Sequence, residues 1–338
     1  MNYNYVIKME SGKIYDVIIA GGGPVGIWAA YYAGFRGLKA LLIEASGELG
    51  GQAIYLYPEK EITDLPGIPS ITGRDLVNNL LAQLRSVDAE VILEAKLISV
   101  SSREDVRVAV TSKGTFEGRF LLLTPGVGSF IPNRLGNPEV ERFENKGVYY
   151  LVKSKEDFRG KKVLIVGGGD SAVDWALELS SIASQVYLAH RRTEFRAAEL
   201  SLKKAVQKGV KIFVPYVLES VSGNSWVEKA HLRNLADSST ISLDVDAVLL
   251  MLGHKLDLSS IKGFNVEMDR DGILVNENCV TSDPRVLAAG DIAAPRNGIK
   301  QRLLVVGFAQ ATTAINYISK ALRPEQPTFV HSTAVASN

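Results

Sequence analysis

The chain has 338 residues, enough for two domains of ordinary size, and 46% hydrophobic with 22% charged residues is a normal globular mix. Lys+Arg number 38 against 37 Asp+Glu, a balance that argues against a nucleic-acid binder while leaving room for a local basic patch facing an acidic protein. No apolar run reaches the about 18 residues that span a bilayer, and Met1-Asn2-Tyr3-Asn4-Tyr5 lacks the layout of a secretory signal, so a cytoplasmic protein without a membrane partner is expected.

Residues 1–13 are polar and irregular and read as an N-terminal arm. Tyr15–Ala20 is a short β-branched run that reads as a buried strand. Gly21-Gly22-Gly23-Pro24-Val25-Gly26 follows it, then an Ala-rich helix over 27–37, then a second strand at 41–44 that ends on Glu44. The order is that of a βαβ unit. Phe120-Leu121-Leu122-Leu123 is an apolar strand running into Thr124-Pro125-Gly126. The same grammar recurs at 162–189: a strand over 162–166, the turn Gly167-Gly168-Gly169-Asp170-Ser171-Ala172, a helix over 173–179 and a strand over 185–189. Residues 247–253 repeat the closing apolar strand and its glycine. The second unit sits between the two closing strands. Residues 129–253 therefore read as an insert, and 14–128 with 254–338 as one discontinuous domain. Leu287-Ala288-Ala289-Gly290-Asp291 then leads to a long helix over about 303–322, and Pro324 and Pro327 open an irregular tail.

A bound diphosphate needs close backbone approach and N–H donors. Gly21 makes the tight turn, Gly23 admits the backbone approach, and Gly26 lets the helix pack on the strand. The helix N-terminus adds partial positive charge. Gly167, Gly169 and Ala172, with Asp170 and Ser171 in the same turn, repeat the arrangement. The two units are in register: Glu44 lies 23 residues after Gly21, and His190 lies 23 residues after Gly167. An acid at this position accepts hydrogen bonds from ribose hydroxyls and repels a 2′-phosphate. His190 is instead followed by Arg191, Arg192 and Arg196. Guanidinium groups bind phosphate in bidentate fashion, so the second site is expected to take NADPH, with His190 and the arginines reading the phosphate. A charge cluster is more often a solvated surface run; its place at the end of the second strand of a βαβ unit favours the phosphate reading here.

These motifs, together with Gly50-Gly51-Gln52, Tyr57-Pro58-Glu59-Lys60, Asp174-Trp175-Ala176-Leu177, Phe195-Arg196-Ala197, Ala289-Gly290-Asp291 and His331-Ser332-Thr333, resemble the thioredoxin-reductase-like ferredoxin–NADP(+) reductases, from about Tyr15 to about Thr333. The resemblance implies an α/β fold with two Rossmann-like three-layer ββα nucleotide-binding domains, a homodimer, one FAD per subunit and an NADPH domain that moves. It implies that Tyr57 stacks on one face of the flavin and His331 covers the other, that Asp291 binds the ribityl chain, and that Glu44 takes the adenosine ribose. Gly51, Gln52, Leu97, Gly126, Phe130 and Thr333 match further flavin-lining positions, and Asp64 sits where a polar group approaches the ring. The run Gly298-Ile299-Lys300-Gln301-Arg302 is more basic than the resemblance leads one to expect, as a partner surface or as simple solvation.

The activity implied is hydride transfer between NADPH and flavin N5 coupled to one-electron exchange with ferredoxin or flavodoxin, the flavin carrying the chemistry and no side-chain acid, base or metal being required. Three rivals stand beside it. Thioredoxin reductase shares the architecture but needs a redox cysteine pair, and the single Cys279 lies outside the insert and reads as a structural thiol. An NAD(P)H oxidase or diaphorase passes electrons to oxygen or quinones. A non-enzymatic redox sensor has no need of an intact 2′-phosphate site. Lys153, Lys155, Lys203, Lys204, Lys300 and Arg302 are candidates for docking an acidic carrier.

Overall fold

The computed structural model describes residues 12–55, 58–126, 129–152, 154–257 and 266–327. The chain divides into two compact units, Met1–Ser129 with Leu256–Asn338, and Phe130–Lys255.

The first unit is built on a sheet whose parallel strands run in the order 89–92, 40–43, 14–20, 114–123 and 286–288. The strand Ile14–Ala20 is central because it is apolar on both faces, as parallel strands covered on both sides must be. Its side chains divide by alternation. Val17 and Ile19 pack under the helices Pro24–Phe35, Gly73–Leu84 and Leu304–Leu322. Ile18 and Ala20 face the opposite layer, which holds the strands Ile273–Val275 and Ala293–Pro295 and the antiparallel meander formed by 97–103, 106–111 and the first half of 114–123. Ile18 and Ile19 are both fully buried, and each such side chain stabilises the sheet by about 1.5–3 kcal/mol relative to an exposed one.

The second unit repeats the plan. Five parallel strands run in the order 148–149, 247–250, 162–166, 185–189 and 211–213. Val163 and Ile165 face the helices Asp170–Leu179 and Glu199–Gln207, while Leu164 and Val166 face a three-stranded antiparallel sheet of 216–222, 229–234 and 240–244. Each unit is thus a three-layer stack of helices, parallel sheet and antiparallel β-layer, the ββα arrangement expected.

The strands Lys162–Val166 and Gln185–Ala189 fall where the sequence places them. Both glycine-turn helices begin three residues earlier than expected, at Pro24 and Asp170, because the end of each turn already has helical geometry. No helix among the described residues is long and apolar enough to cross a membrane.

Candidate functional site

In the first unit the central strand hands over to the helix Pro24–Phe35 through the three glycines. Gly21 has φ +117°, and a Cβ there would lie 2.4 Å from the Thr124 carbonyl oxygen, a conformation and a clearance that only glycine meets. A Cβ on Gly26 would lie 1.8 Å from the Gly21 carbonyl oxygen, so the helix rests directly on the turn. Gly23 is different: no atom of the described residues lies within 4 Å of a Cβ built on it. The helix behind that open space has proline in its first turn, no side-chain cap and no acidic residue in the first turn. Its free N–H groups and the positive end of its dipole make a ready anion cradle.

Glu44 follows the strand Ala40–Ile43 and leans over the middle glycine. Its Oε2 accepts a hydrogen bond from the Gly22 N–H at 2.6 Å, and its Oε1 accepts from the Ser46 N–H at 2.8 Å and from the Ser46 hydroxyl. Three donors fix the carboxylate beside the turn and leave it lone pairs for hydroxyl groups.

Further residues converge on the same end of the sheet. A Cβ on Gly51 would lie 2.9 Å from the Gly23 Cα, and a Cβ on Gly126 would lie 3.4 Å from the Gln52 Nε2. Gly290 packs on Val25, and its N–H donates to the Gln310 side-chain oxygen at 2.9 Å, tying the turn before Asp291 to the last helix. Burial pushes the Asp291 carboxyl up from the usual carboxylate range, with Arg302 and Lys300 pulling against it. Gly21–Gly23, Gly51, Gln52, Gly126 and Gly290-Asp291 thus surround the carboxyl ends of the strands 14–20, 114–123 and 286–288, where open α/β sheets hold ligands.

Other expected site residues lie on other elements or outside the described residues. Leu97 opens an antiparallel strand and packs on the meander face of the sheet. Asp64 is exposed, between the short strands Glu61–Ile62 and Ile71–Thr72. The backbone of Phe130 lies in the strand Ser129–Pro132. Tyr57, His331, Thr333 and Lys153 lie outside the described residues. The sequence reading passed over Ser46, Gln310 and Thr124, whose hydroxyl donates to the Gly21 carbonyl at 2.9 Å and steadies the turn. Small polar residues leave no periodic signal, and only the Ser46 spacing two residues beyond an acid hints at a local turn.

The second turn is a near copy with instructive differences. A Cβ on Gly167 would lie 2.4 Å from the Met251 carbonyl oxygen, and Gly169 again faces open space. Ala172 stands where the first unit has Gly26, and its methyl group fills the turn, 2.9 Å from where a Cβ on Gly167 would lie. The loop after strand Gln185–Ala189 is tied back at two points: the Arg196 N–H donates to the Gly168 carbonyl at 2.8 Å, and the Ala198 N–H donates to Asp170 Oδ1 at 3.3 Å. Asp170 is thereby occupied in ordering the loop. Arg191, Arg192 and Arg196 are exposed along it, beside the helix start that Ser171 shares.

His190 does not share the arginines' exposure. It is only 8% exposed, its ring lies 5.1 Å from that of Phe195, and it covers Gly168 so closely that a Cβ there would come within 2.2 Å of the imidazole. Its Nε2 has no hydrogen-bond partner among the described residues. Burial lowers its pKa below the usual histidine value; a bond with the Glu194 backbone opposes this, and the three arginines add to it. A packed imidazole whose charged form is disfavoured by burial covers the middle glycine of the turn. The two middle glycines are alike in lying beneath the residue 23 positions after the first glycine of the turn, Glu44 in one unit and His190 in the other.

Two three-layer units, each with an open glycine turn at the carboxyl end of its parallel strands, define a two-domain Rossmann flavoprotein fold of the thioredoxin-reductase type. The chain belongs to the pyridine nucleotide-disulphide oxidoreductase family, whose model matches residues 15–316. The ferredoxin–NADP reductase of Sulfurisphaera tokodaii is 41% identical over 318 residues, covering 93% of this chain and 96% of that protein. Ferredoxin–NADP reductase 2 of Listeria welshimeri is 38% identical over 331 residues, covering 96% and 99%. Among solved structures, Lactococcus lactis thioredoxin reductase in its FR conformation matches with a TM-score of 0.77 over 90% of this chain and 98% of that one, at 23% identity, a likeness of fold.

Proposed function

We propose that the protein is a ferredoxin–NADP(+) reductase that moves electrons between NADPH and ferredoxin, with flavodoxin as an alternative carrier. Bound FAD would supply the conversion between two-electron and one-electron transfer. One observation carries the assignment of the two nucleotides. The registered turns differ from the same offset onward: a fixed carboxylate at Glu44 in one unit, and in the other a buried His190 followed directly by the exposed arginine run beginning at Arg191.

The residues of the first unit fit FAD. Gly21, Gly23, Pro24 and Gly26 form a cradle for a diphosphate, with open space at Gly23 and an uncapped helix end behind it. Glu44 would hold the adenosine ribose, and Asp291 the ribityl chain. Gly51, Gln52 and Gly126 would line the same cofactor. Tyr57 and His331 on the two flavin faces, with Asp64, Leu97, Phe130 and Thr333, are proposed on the resemblance alone. In the second unit Gly167, Gly169, Asp170, Ser171 and Ala172 would shape the NADPH diphosphate site, Arg191, Arg192 and Arg196 would hold the 2′-phosphate, and His190 would wall the turn.

Electrons are proposed to pass directly between the cofactor and the carrier. Burial pushes the Cys279 thiol up to about 12, so it is not a nucleophile at neutral pH. A cytoplasmic homodimer belongs to the same reading.

Steady-state assays with NADPH test it. Turnover with purified ferredoxin well above that with oxygen or a thioredoxin disulfide is expected. Turnover with thioredoxin disulfide alone, or with oxygen at the same rate as with ferredoxin, contradicts it.

A further inference from the structure

The chain as a whole is almost neutral, yet residues 191–211 carry seven basic and two acidic residues. The structure shows where that excess lies. In the helix Glu199–Gln207, Ala205 is fully buried and Leu202 packs on the core, which turns the opposite face to solvent. Leu200, Lys204 and Lys208 follow one another at four-residue spacing along that outer face. Leu200 is 65% exposed, an unusual position for leucine at the centre of a charged surface. Lys203 is matched by Glu199 at 2.7 Å, and Lys204 and Lys208 are exposed. The Ala198–Asp170 hydrogen bond holds the start of this helix, and the Arg196–Gly168 hydrogen bond holds the arginine loop that leads into it, against the same glycine turn, so the exposed lysines and arginines flank one another on this unit.

The other basic candidates differ. Lys155 bridges Glu178 at 3.3 Å, and the partly buried ammonium of Lys300 donates to the Asp271 carbonyl, with Asp291, Asp271 and Asp269 close enough to act on its charge.

We propose that the outer face of the helix Glu199–Gln207, centred on Leu200, Lys204 and Lys208 and flanked by the arginine loop, is the docking surface for an acidic electron-carrier protein of the ferredoxin kind. The inference rests on reading the protein as a ferredoxin–NADP reductase. Complementary charge steers encounter and sets the salt dependence, and an exposed leucine among the charges gives the contact a desolvated centre. Because the same surface borders the arginines that would hold the 2′-phosphate, carrier and nucleotide would meet on adjoining parts of one unit.

The test uses the full-length holoprotein with Lys204→Glu/Lys208→Glu, and Lys204→Arg/Lys208→Arg as the charge-keeping control. NADPH-dependent reduction of a purified acidic ferredoxin is compared with reduction of ferricyanide, which needs no protein docking. At low ionic strength the Glu pair is expected to lose about tenfold or more in kcat/KM for ferredoxin, with a flatter salt dependence. Ferricyanide turnover at saturating NADPH stays as in the unmodified protein, and the Arg pair keeps its ferredoxin rate. An unchanged ferredoxin kcat/KM in the Glu pair overturns the surface, as does an equal fall with ferricyanide. An unmodified protein that reduces ferricyanide but no ferredoxin overturns the functional reading itself, and the surface with it.

Discussion

Leucine in place of Arg192 removes one exposed guanidinium from the loop that the Arg196 and Ala198 N–H groups tie to the second glycine turn. A hydrogen bond to a charged partner is worth about 1.5–3 kcal/mol. Exposure and screening put this one at the lower end, and about 1.4 kcal/mol is a factor of ten. Arg192→Leu should therefore lower kcat/KM for NADPH about tenfold. The rate with NADH, which has no 2′-phosphate, should hold within about twofold. Arg191→Leu added to it should give a further loss that is less than multiplicative, because adjacent residues share one ligand. The loss should shrink as salt is raised, since the Debye length falls from about 30 Å at 0.01 M to about 8 Å at 0.15 M. Initial rates with both nucleotides at two ionic strengths supply the data. A parallel fall with NADH and NADPH would refute the reasoning, because the arginines would then support the fold and not the phosphate.

Gly26→Ala should abolish flavin retention and lower the Tm, because its Cβ would sit 1.8 Å from the Gly21 carbonyl; Ala172→Gly at the matching position should cost only about 0.5–1 kcal/mol, and similar effects of the two on thermal unfolding would contradict the close packing described. Glu44→Ala removes the acceptor for the Gly22 and Ser46 N–H groups and should weaken FAD binding at least tenfold while leaving the NADPH/NADH ratio alone, read by flavin fluorescence during dilution. Burial, the largest cause, lowers the His190 pKa in the folded chain, so on acidification the unfolded chain takes up a proton near the ordinary value of about 6.5 before the folded chain does. That contribution to stability is present above about pH 6.5 and is lost as the pH falls through the depressed folded value. The drop in Tm between pH 8 and pH 5.5 should accordingly be smaller in His190→Asn, and an identical drop would show that the imidazole is not the group responsible. Cys279, with its thiol pushed up to about 12, should resist a disulfide reagent in the native protein at pH 8, and Cys279→Ala should keep full ferredoxin turnover; a dead Ala variant that still folds would restore a thiol route.

Much of the fold was legible because the parallel strands are short and apolar on both faces. Lys162–Val166 and Gln185–Ala189 stand out as continuous hydrophobic runs, and Gly21 and Gly167 mark the turns that follow the first strand of each unit. The helix Gly73–Leu84 was missed although its signals were present. Thr72 caps it by accepting the Asp75 N–H at 3.1 Å, and Leu76, Val77, Leu80, Leu81 and Leu84 bury one face at helical spacing. The antiparallel layers were harder to read, because strands such as Leu97–Arg103 are partly exposed and carry serines that read as loop. At the site, the register of Glu44 and His190 was visible as spacing, but the burial of His190 was not. A polar residue at a strand end reads as exposed, and its covering depends on a glycine 22 positions earlier and on Phe195. Nor does linear sequence show that the start of the helix Glu199–Gln207 is tied to the second glycine turn; the Asp170–Ala198 hydrogen bond that ties it spans 28 residues.

The most direct measurement of the central claim is a stoichiometry. The purified holoprotein is mixed anaerobically with a limiting, known amount of NADPH and an excess of oxidised ferredoxin, and the reduced ferredoxin is counted from its visible absorbance. NADPH gives up two electrons and ferredoxin takes one, so about two ferredoxins should be reduced for each NADPH consumed, with a catalytic amount of protein sufficing. NADPH consumed without reduction of ferredoxin, or ferredoxin reduced only in amounts equal to the protein present, would contradict the account.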